Sequence, residues 1–127
     1  MRASRRQGEE NLKLNEIAQT LGLRNVTPEL AAQNPDVAVG HVSDLLSDVL
    51  ANAPAGGLLV TIQVHMNVIA IASHAGLAGV IFAAGRTPEE SVRRKAVEEK
   101  ILLFVSEDSS FEVVGRLYAL GVRGTRA

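Results

Sequence analysis

The sequence predicts an α/β fold of three layers (α/β/α), with a mainly parallel sheet between two layers of helices. From residue 37 to residue 120, apolar runs rich in β-branched residues alternate with segments of helical periodicity. Two of these runs, residues 58–63 and 78–83, are apolar almost without interruption, as in strands buried on both faces. The connections are short, and such alternation requires parallel strands joined by crossover helices.

The composition indicates one globular domain and narrows the classes of function. Of 127 residues, 46% are hydrophobic and 21% charged, and the net charge of -1 provides no field toward nucleic acid or an anionic membrane. The chain has no cysteine, which excludes disulfides and thiolate metal sites. Its most apolar region, residues 68–84, is shorter than the roughly 20 residues of a membrane span. We expect a cytoplasmic protein with no cofactor, no metal, no nucleic-acid partner and no membrane contact.

The first part of the chain is predicted to contain a flexible lead, a short strand and a helix. Residues 1–11 are the lead, and residues 12–14 form the strand. Asn15 is a candidate cap for a helix that Gly22 ends. The same segment has the spacing of the first half of a helix-turn-helix, with a second helix from Thr27. That second helix lacks the basic and amide side chains that contact bases, so DNA binding is the weakest function considered.

The central prediction is a strand that turns directly into a helix. The strand ends at Val42, and we expect Ser43 to cap the helix. The N–H groups at the helix start then point to whatever lies beyond the carboxyl end of the strand. The apolar face that this helix should bury consists of Leu45, Leu46, Val49 and Leu50.

Three more helices are predicted from caps and periodicity. The helix at residues 66–75 is apolar almost all round, so either other elements of the chain cover it or it faces a partner subunit. Because so small a chain has few elements to cover it, we expect self-association, and a homodimer is the simplest closed assembly. Thr87 and Ser109 each open a capping box, on either side of a strand at residues 101–105. Residues 122–127 are expected to form a flexible tail. The exposed helix after Thr87 should carry the ion pairs Glu89–Arg93 and Glu90–Arg94.

The central stretch also carries a resemblance to a known family. Residues 40–51, GHVSDLLSDVLA, resemble the signature of the DRTGG domain family, and residues 61–67 and 110–118 agree with it. The resemblance covers residues 12–121, which we take as a single domain. At the motif that names the family, only the Asp and the last Gly match.

This resemblance implies the same three-layer fold and an accessory role. Similar domains occur beside catalytic domains of phosphate metabolism, in phosphotransacetylases, CBS-domain pyrophosphatases and the serine kinase of the phosphotransfer carrier. The chain is therefore expected to be a non-catalytic regulatory or assembly module that forms a homodimer. It would sense a phosphorylated small molecule or nucleotide and could bind a protein partner. The alternative is a small enzyme that acts on a phosphorylated metabolite at the strand carboxyl ends.

Polar residues at the carboxyl ends of the predicted strands form the candidate ligand site. Helix N-termini, a glycine turn, an arginine and imidazoles together attract an anion. Arg86 is the strongest candidate, because a guanidinium matches the geometry of phosphate or carboxylate. The predicted ligand-binding residues are His41, Ser43, His65, Asn67, Gly85, Arg86 and Ser106, with Gln63 beside them.

Each of these residues also has a purely structural interpretation. Ser43 is a helix cap, His65 bonds the N–H groups of the next helix, and Gly85 permits a turn. Ser43 with His41 or His65 is a conceivable nucleophile and base, but no orienting partner is specified. The sequence has no metal-ligand spacing, no Gly-x-Ser-x-Gly elbow and no P-loop, so we predict no catalytic residues and no enzyme activity.

Overall fold

The central sheet consists of five strands, which are in spatial order β2 (Arg24–Asn25), β7 (Leu102–Val105), β6 (Gly79–Phe82), β5 (Leu58–Thr61) and β4 (Gly40–Val42). The computed structural model describes residues 12–125, so the predicted lead at residues 1–11 lies outside it. Within these residues the other strands are β1 (Leu12–Lys13) and β3 (Asp36–Val37). The helices are α1 (Leu14–Leu21), α2 (Leu46–Asn52), α3 (Asn67–Ala75), α4 (Glu90–Glu99) and α5 (Ser110–Leu120), and Pro28–Leu30 is a 3₁₀ turn.

The sheet is parallel from β4 to β7, and the strands β5, β6 and β7 are buried on both faces. The parallel register places Val60 of β5 opposite Val42 of β4 and opposite Ile81 of β6. β2 lies antiparallel to β7 at one edge, while β1 and β3 form a separate antiparallel pair. The predicted three-layer α/β/α fold with a mainly parallel sheet is confirmed.

The alternation of side chains along each strand divides the core into two halves. Leu58 and Val60 pack with residues of α1 and α5 on one face of the sheet. Leu59 packs on the other face, with residues of α2, α3 and α4. Continuous apolar runs fill both halves at once, which is why residues 58–63 and 78–83 were recognisable as buried strands.

α2 begins later than predicted, and Ser43 is not its cap. The helix starts at Leu46 after Leu45, whose backbone is extended at φ -100° and ψ 107°. The Ser43 hydroxyl accepts a bond from the Leu45 N–H at 3.2 Å, which closes a local turn instead. The predicted buried face is therefore wrong in part: Val49 is buried, but Leu45 is 65% exposed and Leu50 is 49% exposed.

α4 also begins later than predicted, whereas α5 begins as predicted. Glu89 precedes α4 in extended conformation, and the Thr87 hydroxyl bonds the Gly85 carbonyl instead of capping a helix. Arg93 pairs with Glu90 and with Glu29 of the 3₁₀ turn, and these pairs replace the predicted Glu89–Arg93 and Glu90–Arg94. The Ser109 hydroxyl accepts from the Glu112 N–H at 3.2 Å, which confirms that cap.

Residues 12–35 contain no helix-turn-helix. Gly22 ends α1 in the left-handed conformation, as predicted, with φ 66°. The chain then enters β2 and a three-residue 3₁₀ turn, so the expected second helix from Thr27 is wrong. Asn15 does not cap α1, because that helix already starts at Leu14 and the Asn15 N–H donates to the side chain of Asn34 at 2.9 Å.

The chain returns to the outer edge of β4 after α5. Val122 is buried, and Arg123 forms a parallel bridge with Val39. The Gly40 N–H donates to the Arg123 carbonyl at 2.9 Å. The prediction of a flexible tail is therefore wrong for residues 122 and 123, because backbone bonds and burial hold them to the sheet.

α3 lies between α2 and α4. Its buried residues are Val68, Ile69 and Ala72. Neighbours in the same chain thus cover much of the apolar helix that we expected to contact a second subunit. None of the helices within residues 12–125 is long and apolar enough to cross a membrane.

Candidate functional site

The predicted site residues at the carboxyl edge of the sheet separate into two places. Residues that follow β5 and β6 line one cleft of about 410 Å³, which we call the open cleft. His41 and Ser43, at the end of β4, lie in a different cluster that is described below. The open cleft is lined by Gln63, Val64, His65, Met66, Arg86, Glu89, Ser91 and Val92.

Arg86 enters the open cleft from a tight turn after β6. Ala84 and Gly85 both have left-handed backbone, with φ 58° and φ 69°. The Arg86 N–H donates to the Ala83 carbonyl at 3.1 Å, so residues 83–86 form a turn of type I′. An alanine with positive φ is strained, and such strain persists only where the surroundings hold it.

The next loop holds this turn in place. The Ala84 N–H donates to the Asp108 carbonyl at 2.7 Å, and the Gly85 N–H donates to the Ser106 carbonyl at 2.8 Å. The buried Ser106 hydroxyl in turn accepts from the Asp108 N–H at 3.1 Å. Gly85 and Ser106 therefore fix the backbone that carries Arg86, and neither lines the open cleft.

The guanidinium of Arg86 has no partner among residues 12–125. Its side chain is exposed and forms no hydrogen bond or ion pair with any residue that the structure describes. Arg94, on the surface of α4, is also unpaired but does not line the open cleft. The arginines that do bond other residues of the chain are Arg24, Arg93, Arg116 and Arg123.

His65 has one ring nitrogen engaged and one left for the open cleft. Its Nδ1 accepts a hydrogen bond from the Asn67 N–H at 3.0 Å, at the start of α3. A neutral ring with this bond carries its proton on Nε2, which is then a donor. The structural interpretation of His65 is confirmed. Asn67 contributes its backbone here and does not line the cleft.

Glu89 and Ser91 line the open cleft but were not among the predicted site residues. The sequence placed them in the first turn of a helix that Thr87 capped. α4 starts at Glu90, so Glu89 instead belongs to the loop beside the cleft. A carboxylate and a hydroxyl thus face the same space as the Arg86 guanidinium. This space offers hydrogen-bond donors to an anion and hydrogen-bond acceptors for hydroxyl or amino groups.

At the end of β4, three polar side chains lie around the Asp48 carboxylate. We call His41, Ser43, Asp48 and Asn52 the Asp48 cluster. The Asp48 carboxylate bonds the Asn52 amide and His41 Nε2, each at 2.8 Å. The Asn52 amide, followed by His41 and the Ser43 hydroxyl, lowers the pKa of Asp48 to about 2. The Ser43 hydroxyl donates to the Leu45 carbonyl at 3.4 Å and not to His41, so these side chains do not form the order of a nucleophile, a base and an orienting acid.

His41 also lines a second, smaller space of about 130 Å³ between β4 and α5, which we call the apolar groove. Val42 and Val60 form part of its wall on the sheet side. From the α5 side, Val114, Leu117 and Tyr118 line it. The groove is therefore set apart from the open cleft, and His41 does not join Arg86 in one site.

No family model matches the sequence, and no curated protein matches it. The chain is similar in structure to the CBS and DRTGG domains of the regulatory region of Clostridium perfringens pyrophosphatase, complexed with the activator diadenosine tetraphosphate. The TM-score is 0.66 at 15% sequence identity, over 82% of this chain and 45% of that chain. The chain thus spans less than half of that region and shares its fold with part of it. The neighbour belongs to a regulatory region, not a catalytic one.

Proposed function

We propose that this chain is a non-catalytic regulatory module of the DRTGG type that binds a nucleotide or another phosphorylated small molecule in the open cleft. One observation carries the proposal: the unpaired guanidinium of Arg86, on a strained turn that two backbone bonds hold in place. A guanidinium that bonds none of residues 12–125 is available to a phosphate.

The chemistry of the open cleft favours a nucleotide over inorganic phosphate. The Arg86 guanidinium and the His65 Nε2–H can donate to phosphate oxygens. Glu89 would repel a bare phosphate, but its carboxylate accepts from ribose hydroxyls or an exocyclic amine. Met66 and Val64 offer apolar surface to a base or sugar. A ligand with an anionic end and a hydroxylated end uses all of these groups.

The structural neighbour indicates which nucleotides to test first. The Clostridium region is complexed with diadenosine tetraphosphate, an activator. ATP, AMP and diadenosine tetraphosphate are therefore the first probes, with inorganic phosphate as the simplest anion.

Assembly is the second part of the proposed function. We propose a cytoplasmic homodimer that transmits ligand binding to a protein partner. The covered α3 no longer supports self-association, so another surface must provide it.

The test of ligand binding is isothermal titration calorimetry with the four probes. Arg86→Ala should weaken nucleotide binding by about 1.5–3 kcal/mol, the scale of a hydrogen bond to a charged group. This corresponds to about 10- to 100-fold in affinity. Arg94→Ala removes a second unpaired, exposed arginine outside the cleft and should leave affinity unchanged. Both variants should keep the melting temperature, because exposed positions contribute little to stability.

Two results would contradict the proposal. Absence of binding for all four probes, or equal affinity of the wild type and Arg86→Ala, would remove the open cleft as the site. Turnover of a phosphate ester by pure protein, lost in Ser43→Asp at unchanged melting temperature, would instead favour the enzyme.

A further inference from the structure

We propose that the exposed face of α5 is a twofold interface between two copies of this chain. This interface deepens the assembly part of the proposed function, on which it rests, and does not depend on a ligand in the open cleft. α5 packs on the face of the sheet opposite to α2, α3 and α4.

Two large apolar side chains of α5 point away from the core. Phe111 is 88% exposed and Tyr118 is 57% exposed. Tyr118 follows Phe111 by seven positions, so the two side chains lie two turns apart on one face of the helix. Val114 and Gly115 lie between them on the same face. We call these four residues the α5 stripe. Its spacing is that of a helix that packs against another helix.

Gly115 stands at the middle of the α5 stripe without a role in the fold. A Cβ at this position would meet nothing within 4 Å, so the core does not require a glycine. Glycine disfavours a helix interior relative to alanine. A glycine at the centre of an exposed apolar face allows a second helix to approach closely.

The α5 stripe is complementary to itself when two copies pack antiparallel. A twofold axis between Val114 and Gly115 places Phe111 of each copy beside Tyr118 of the other. Tyr118 and Val114 also line the apolar groove. In this arrangement the Phe111 ring of the second copy therefore lies at the mouth of that groove. The same contact forms twice, as a closed dimer requires.

The charges at the ends of the stripe are complementary in the same arrangement. The Arg123 guanidinium stacks on Tyr118, 3.8 Å from the ring centroid. Glu112 follows Phe111, is exposed, and forms no ion pair within residues 12–125. Antiparallel packing brings Glu112 of one copy toward Arg123 of the other. This complementarity selects a second copy as the occupant, since one surface supplies both halves of each contact.

Sedimentation velocity over a range of concentrations tests the interface with the full chain. The wild type should dimerise reversibly, and Phe111→Ala should dimerise at least tenfold more weakly. Leu50→Ala is the matched control, because Leu50 is 49% exposed on the opposite face of the sheet, and it should dimerise like the wild type. Gly115→Lys replaces a poor helix former with a good one, but its long side chain blocks the contact between the two helices. This variant should be folded by circular dichroism and monomeric by sedimentation velocity.

The absence of cysteine allows a second, direct measurement. Gly115→Cys should form a disulfide-linked dimer under mild oxidation, because only paired residues near the twofold axis approach to about 6 Å between Cα atoms. Leu50→Cys should remain unlinked under the same conditions.

Monomeric wild type at every concentration would overturn the proposed interface, as would a dimer that Phe111→Ala and Gly115→Lys leave unchanged. The two proposals fail separately. Phe111→Ala should bind ATP like the wild type, and Arg86→Ala should dimerise like the wild type.

Discussion

The Asp48 cluster and the open cleft lie at the same edge of the sheet but differ in how their polar groups are used. In the Asp48 cluster, the carboxylate bonds the Asn52 amide and the His41 ring. In the open cleft, the Arg86 guanidinium has no partner in the described chain and His65 retains a free ring donor. Position at a strand end therefore does not by itself make a ligand site. We therefore place the proposed ligand site at the open cleft, where polar groups have no partner among the described residues.

The difference arises from the loops that follow the strands. After β4, the Asp44 carboxylate turns back to the end of β5, where it accepts from the Thr61 hydroxyl at 2.9 Å and the Ile62 N–H at 2.8 Å. The polar groups of that loop are thereby used within the chain. After β6, the loop is held through its backbone by the loop after β7, so the Arg86 side chain remains free.

The largest expected effect comes from removing the hydrogen bonds of the Thr61 hydroxyl at the end of β5. This buried hydroxyl donates to Asp44 and accepts from the Gln63 N–H at 3.1 Å. Thr61→Val removes both bonds at constant shape, and the free energy of unfolding in urea should fall by about 1–3 kcal/mol. Thr87→Val is the matched control, because its hydroxyl is exposed, and it should cost less than about 1 kcal/mol. Equal losses in the two variants would show that the Asp44–Thr61 contact does not stabilise this end.

The second prediction concerns the turn that positions Arg86. Gly85 has φ 69°, and a Cβ there would lie 2.8 Å from Glu107 Oε1. The Glu107 side chain can move, but the left-handed backbone remains, so Gly85→Ala should lower stability by about 1–2 kcal/mol. Nucleotide affinity should fall as well, although Gly85 does not line the cleft.

Gly115→Ala is the control for Gly85→Ala, since it makes the same chemical change in a helix with open space around it. Measured at concentrations where the chain is monomeric, Gly115→Ala should raise stability by about 0.5–1 kcal/mol. A neutral Gly85→Ala would mean that the turn adapts and that Arg86 is not held in place.

The third prediction is a pH dependence at the Asp48 cluster. The folded-state pKa of Asp48 is about 2, below its ordinary value of 3.8, chiefly because of the Asn52 amide and then His41. A lowered carboxyl pKa stabilises the fold above the ordinary value, and this contribution is lost as the pH falls from about 4 to about 2. The melting temperature of Asp48→Asn should therefore fall less steeply than that of the wild type in this range. Identical slopes for the two proteins would contradict the assignment.

Local sequence signals predicted the elements that local interactions determine. The buried strands β5 and β6 and the cap at Ser109 were recognisable because apolar runs and a capping box act within a few residues. Ser43 carries a similar signal, but the bonds from Asp44 to Thr61 and Ile62 span 17 and 18 residues and extend the backbone past the expected start of α2. A pattern read along the chain does not contain such distant contacts.

The same reason limits how much of the candidate site the sequence could predict. Arg86 was recognisable from its residue type and its place after a strand. Its fixed turn depends on Ser106 and Asp108, which lie in another loop. Glu89 and Ser91 were missed because the start of α4 was placed too early. Only the folded chain separates His41 from Arg86.

The smallest expected effect compares the two serines that the sequence treated alike. Ser109→Ala removes a true N-cap bond to the Glu112 N–H and should lower the free energy of unfolding by about 1 kcal/mol. Ser43→Ala removes only the exposed turn bonds to the N–H and the carbonyl of Leu45, so it should cost at most about 0.5 kcal/mol. Chemical denaturation of both variants beside the wild type measures the difference. Equal costs would mean that Ser43 acts as a cap in solution and that α2 begins earlier than Leu46. The bond between the Asp44 carboxylate and the Thr61 hydroxyl would then have to break, and the polar groups after β4 would be as free for a ligand as those of the open cleft.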